Sequence, residues 1–211
     1  MKIKEHNQKR WVASLCLGLC VAVICQCVLL STQCTAIRNN LVRLHILANS
    51  DSEQDQALKF KVRDALLAYG GELFTGYTTK EQAIAQVEDS LEDIRQVAEE
   101  TLQKEGCFLP VTCQLEETYF NTRVYDTVTL PAGKYTALRV LIGNGAGQNW
   151  WCVMFPPLCI PAAGEVTAQT DGLEGVLTQK EQDLVLGGPR YQMKFKAVEW
   201  FQQAKEWLVE L

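Results

Sequence analysis

Trp11 to Leu30 is a run of 20 residues without a charged side chain, preceded directly by Lys9 and Arg10. It constrains the fold more than any other feature of the chain. A helix needs about 20 apolar residues to cross the hydrocarbon core of a bilayer. Basic residues ahead of such a run keep the N-terminus cytoplasmic while the rest of the chain is exported. The run is apolar all round and lacks the polar stripe of a core helix. Two fates fit it. Its length exceeds the roughly 7–15 residues of a signal-peptide core, which favours a retained anchor. The small residues Cys34 and Ala36 instead fit a signal-peptidase cut after Ala36. Gln33, where a small residue would be expected before Cys34, argues against a lipoprotein signal. The chain therefore divides into residues 1–36, a signal peptide or signal anchor, and residues 37–211, an exported globular domain.

The charge balance narrows the partners of that domain. Of 20 basic and 25 acidic side chains, four basic and one acidic lie in the first 35 residues, which leaves the remainder at −8. Such a domain repels nucleic acid and anionic lipid. A membrane contact is thus expected only through the N-terminal segment, and no nucleic-acid partner is expected.

Nine cysteines are present. Cys16, Cys20, Cys25, Cys27 and Cys34 lie in or beside the apolar run, where a thiol behaves as a small hydrophobe. Cys107, Cys113, Cys152 and Cys159 belong to the domain, and export permits disulfides. Cys152 and Cys159 flank a turn at Pro156-Pro157, which predicts a bridge between them. Cys107 and Cys113 are a weaker pair. Zinc fits poorly, because ligand spacings are absent and His45 is the only histidine of the domain.

Leu41–Ala48 reads as a strand, rich in branched residues. Asn49, Ser50 and Asp51 form a helix-cap cluster, with Ser50 and Glu53 as a capping box. Leu58, Val62, Ala65, Leu66 and Tyr69 mark the apolar face of the next helix, with Gly70-Gly71 as its end. A second helix is predicted from Thr79, capped with Gln82, along the stripe Ile84, Val87, Leu91, Ile94, Ala98 and Leu102, stopping at Gly106. Strands are predicted at 111–120, 124–130, 135–142 and 150–155, joined by turns at 130–134 and at Gly143–Gly147. Residues 161–190 show no sustained period and read as a surface excursion. A last helix from about Met193 carries Phe195, Val198, Phe201, Ala204 and Leu208. This order predicts an α/β (α+β-like) layered domain, a mixed sheet packed by about three helices, behind an N-terminal hydrophobic helix.

No catalytic set is evident. A nucleophilic hydrolase needs a base beside its Ser or Cys, and His45 lies mid-strand, beside the core. No G-x-S-x-G or H-E-x-x-H occurs, and GNGAG lacks the Lys of a P-loop. The acidic cluster 49–55 fits no EF-hand, and capping accounts for it. No cofactor or metal is expected. Carboxylates are plentiful, so an extracytoplasmic hydrolase of cell wall or peptide, using a carboxylate pair without a signature, is the alternative to a binding protein. A structural envelope protein is a third reading. Adjacent Trp150 and Trp151 in a strand must point to opposite faces. An outward Trp near the Phe155-Pro156-Pro157 corner makes Trp150, Trp151 and Phe155 candidate contacts for a protein partner.

Three segments carry a family resemblance: VRLHILANSDSEQDQALKFKVRDALL (42–67), LPAGKYTALRVLIGNGAGQNWWCVMFPPLC (130–159) and the export segment ahead of them. Together they resemble the stage II sporulation protein R family. Asn121 departs from the family pattern, which often has Pro there, and residues 160–190 match less clearly. The resemblance implies a protein made in the forespore and exported into the space between forespore and mother cell. There it triggers a membrane-embedded aspartic protease of the mother cell that removes the pro-sequence of sigma-E. It implies a ligand rather than an enzyme, the catalytic aspartates belonging to the partner.

Overall fold

A computed structural model of the chain describes residues 2–73, 79–125, 128–156, 173, 175–186, 195, 199 and 200. A long N-terminal helix, α1 (Lys2–Asn39), leads into β1 (Val42–Leu47). Three helices come next, α2 (Glu53–Leu73), α3 (Lys80–Asp89) and α4 (Leu91–Lys104). Then come β2 (Val111–Phe120), β3 (Arg123–Tyr125), β4 (Val128–Leu130), β5 (Gly133–Ile142), β6 (Asn149–Phe155) and α5 (Gln179–Leu186). Trp11–Asn39 of α1 is the part long and apolar enough to cross a bilayer.

Four strands form a mixed sheet in the order β2-β5-β1-β6. β1 runs parallel to β5 and antiparallel to β6, and β2 runs antiparallel to β5. β1 is central, so both its faces are covered and all six of its residues are buried. Its alternation separates two cores. Val42, Leu44 and Ile46 face Leu58, Val62, Leu66, Val87, Ile94 and Leu102 on α2–α4. The opposite face meets the end of α1, β4 and α5, with Cys34, Ile37, Leu41, Leu130, Tyr135 and Leu184 in the second core. The predicted mixed sheet under helices, behind an apolar helix, is what the chain forms.

Local boundaries differ in five places. Ser52, not Ser50, caps α2: its Oγ accepts the Asp55 N–H at 3.1 Å, and its carbonyl takes the first helical hydrogen bond from Gln56. α2 runs through Gly70-Gly71 to Leu73, because its packed face outweighs the cost of about 1 kcal/mol per helical glycine. The single helix predicted from Thr79 breaks at Ser90 (φ −102°, ψ 8°) into α3 and α4. Its start is as expected, with Thr79 Oγ1 accepting the Gln82 N–H. Its end at Gly106 (φ +74°) is a Schellman cap, in which Cys107 and Gly106 donate to the Leu102 and Gln103 carbonyls. The strand predicted over 124–130 is instead a hairpin, β3 against β4.

The fifth difference is α5, inside the predicted excursion. The Glu181 carboxylate accepts the Thr178 N–H at 2.8 Å, half of a capping box, and Leu184 and Val185 are buried. Of the last predicted helix, Phe195 is buried and helical, whereas Val198, Phe201, Ala204 and Leu208 lie outside the described residues.

Candidate functional site

The C-terminal ends of the two parallel strands carry the helix-cap cluster and the GNGAG loop, and these interlock. Asn49 Oδ1 accepts the Asn144 N–H at 3.1 Å, and Asp51 Oδ1 accepts the Gln148 N–H at 2.7 Å. Gly147 donates to the Ala48 carbonyl at 2.9 Å. Side chains cannot fit at two of the glycines: a Cβ on Gly143 would overlap Asn49 Oδ1, and one on Gly147 would overlap the Ser50 carbonyl. Asp55 collects Ser50 Oγ and Asn49 Nδ2 at 2.5 and 2.9 Å, and the Ser50 hydroxyl above all holds its carboxyl below the usual carboxylate range. Asn49, Ser50 and Asp51 thus do more than cap a helix. They clasp the loop that positions β6.

β6 holds the tryptophan pair. Trp150 and Trp151 face opposite sides of the sheet, each half-buried. On the helical side Arg63 lies 4.6 Å over the Trp150 ring, and Phe60 meets it edge-on at 5.5 Å. Trp150 Nε1 is buried without a hydrogen-bond partner among the described residues. Nearby Lys59, 2 % exposed, donates to Gln56 Oε1 and to the Gln148 carbonyl, and burial pulls its pKa down.

On the other side Trp151 stacks on His45 and meets Phe120 edge-on at 4.7 Å, with Arg123 above it at 5.8 Å. Arg43, fully buried, donates from Nε to the Cys152 carbonyl at 3.2 Å and lies over the Phe120 ring at 4.1 Å. Val124, next to Arg123, is 52 % exposed. Neither tryptophan therefore stands free in solvent. Each has an exposed neighbour: Phe60, 37 % exposed, meets Trp150, and Arg123 on β3 lies over Trp151. Phe155, the third predicted contact, is 1 % exposed and belongs to the first core. An aromatic strand covered on both faces gives no period-2 signal by which to tell the two apart.

Cys152 is disulfide-bonded, and its predicted partner Cys159 lies outside the described residues. Cys107 and Cys113 carry free thiols, and burial pushes the Cys113 thiol up to about 12. Among the described residues no group of three or more His, Cys, Asp or Glu side chains is placed to hold a metal. Several carboxylates among the described residues are engaged. Arg95 pairs with Glu92 and Glu99, and Arg139 pairs with Glu116 at 3.1 Å. His45 Nε2 donates to Asn149 Oδ1 at 2.8 Å, and burial lowers its pKa. The buried cations Arg43, Lys59 and Arg63 escaped sequence reading, although V-R-L-H-I-L alternates apolar and basic residues and so announced a polar layer beneath the sheet.

The family model for stage II sporulation protein R matches residues 38–165. Stage II sporulation protein R of Bacillus subtilis (strain 168) is 38% identical over 154 residues, covering 72% of this chain and 69% of that protein. No solved structure matches the chain significantly. The matched residues contain β1 to β6 entire, with the loop clasp and the tryptophan pair, and the chain therefore belongs to the stage II sporulation protein R family.

Proposed function

We propose that the chain is an exported sporulation signal, made in the forespore, that activates the membrane-embedded aspartic protease of the mother cell which processes pro-sigma-E. The observation that carries this reading is family membership across the whole sheet. Two features support a binding role. His45 is locked between Trp151 and Asn149, away from any geometry in which it could relay a proton to a substrate. Several carboxylates are spent on arginine pairs and on the loop clasp. The contact surface we assign to the protease is the Trp151 side of β6 with Arg123. It joins an aromatic anchor and a guanidinium, the residue types enriched in interface hot spots.

The test is co-expression of the full chain, the protease and pro-sigma-E in a host that does not sporulate. Cleavage is expected only when all three are present and the protease keeps its aspartates. Absence of cleavage with all three present rejects the reading. Cleavage that persists with an aspartate-dead protease would favour the alternative, in which this chain is itself a hydrolase.

A further inference from the structure

The end of α1 belongs to the exported domain. Cys34 and Ile37 are fully buried and lie one turn apart on one face of α1, in the second core with Leu130 and Tyr135. Arg38 fastens the same turn. Its Nη1 donates to the Ala132 carbonyl at 3.1 Å and its Nη2 to Thr35 Oγ1 at 2.7 Å. Its side chain also fills the space a Cβ on Gly133 would need. The bond after Ala36, where a signal peptidase would cut, thus sits in a helical turn pinned on both sides.

We infer that the apolar segment is a retained anchor built into the domain, and that it holds the domain against the outer surface of the bilayer. The inference rests on the export half of the proposed function and adds the fate of the segment. The bond after Ala36 lies inside α1 and its backbone is held in a helix. A cut there would also remove Cys34 from the core and break the Thr35–Arg38 hydrogen bond. Trp11–Leu30 spans about 30 Å as a helix. Only Ser31, Thr32 and Gln33 separate its end from Cys34, about one turn. The β4–β5 side of the domain therefore rides at headgroup level. The anchor, not charge, keeps it there, since the domain is acidic. A domain so held acts only on partners within reach of that membrane.

The full chain with a C-terminal tag, expressed in a Gram-positive host, tests this. Membranes are washed at alkaline pH and the protein's intact mass is measured. The full-length mass in the washed pellet is expected. A product beginning at Ile37, or at any residue past Leu30, or release by the wash, overturns the inference. The docking is tested separately by melting the full chain in detergent. Cys34→Asp is expected to lower the melting temperature by at least about 5 °C, through a buried charge. Exposed Asn39→Ala should leave it unchanged. Equal melting of the two variants overturns the docked helix. A reporter fused after Leu211 separates the two readings. Cytoplasmic activity overturns export and anchor together, whereas an external, released product starting at Ile37 overturns the anchor alone.

Discussion

His45 and Trp151 stack nearly face to face, their ring centroids 3.6 Å apart and their planes 15° from parallel. The imidazole has one direction left. Nε2 donates to Asn149 Oδ1, an acceptor only, so in the neutral ring Nδ1 carries the lone pair. Nδ1 is buried with no hydrogen-bond partner among the described residues. Protonation would place an unsatisfied donor and a charge in that layer, and burial accordingly lowers the pKa below 6.5.

This fixes the sign of the pH dependence. Between the folded pKa and the unfolded value of about 6.5, the unfolded chain binds more protons than the folded one, so stability rises with pH across that window. The contribution of His45 is complete above about pH 6.5 and is lost as pH falls through the window. Urea unfolding at pH 7.5 and pH 5.5 should show a lower midpoint at the acid end for the wild type and a smaller difference for His45→Gln. Equal losses in both proteins would refute the assignment.

Much of this layer was visible in the sequence, and the reasons for the rest are specific. β1 could be read because a central strand is rich in branched residues, and His45 was placed beside the core. The clasp could not be read, because Asn49 and Asn144 are 95 residues apart and only the parallel pairing of β1 and β5 brings them together. The break at Ser90 left the apolar stripe in register across it, so periodicity alone could not reveal it. α5 did carry a signal, Thr178 and Glu181 at capping-box spacing, but its eight residues are too few for a period to stand out.

The clasp yields a stability prediction. Asn49→Ala removes the acceptor of the Asn144 N–H and the donor to Asp55 together. It should destabilise the domain by about 1–3 kcal/mol. Gly147→Ala should cost at least as much, because the added methyl overlaps the Ser50 carbonyl. Asp51→Asn keeps an oxygen acceptor for Gln148 and should be milder. Chemical denaturation ranks the three. A wild-type midpoint for Gly147→Ala would mean that the loop is not held against Ser50.

The thiols predict a labelling pattern. We expect Cys152 to pair with Cys159, closing a small loop that the chain-entropy model values at about 2–3 kcal/mol. Cys107 and Cys113 are free. Alkylation of the exported protein in denaturant without reductant should therefore modify Cys107 and Cys113 and spare Cys152 and Cys159. Without denaturant Cys113 should react slowly, because burial holds its thiol at about 12. Peptide mass spectrometry reads both results, and free thiols at Cys152 and Cys159 would exclude the bridge.

The contact surface gives the last prediction. Both tryptophans are packed, so Trp150→Ala and Trp151→Ala should each cost roughly 2–4 kcal/mol in stability, and loss of activity in either would mix folding with binding. Arg123 avoids the confusion. It is exposed on β3 and lies over the Trp151 ring. Moving a protease from about 1 % to 99 % active requires a preference of about 5.5 kcal/mol for its active form. Burying an anchor of this kind contributes about 2 kcal/mol or more of such a preference. Arg123→Glu should therefore reduce pro-sigma-E cleavage at limiting protein by tenfold or more, with the circular dichroism spectrum and urea midpoint close to wild type. Phe60→Ser, on the opposite face beside Trp150, should leave cleavage unchanged at equal folded protein. If Phe60→Ser abolishes cleavage while Arg123→Glu does not, the protease reads the helical face instead.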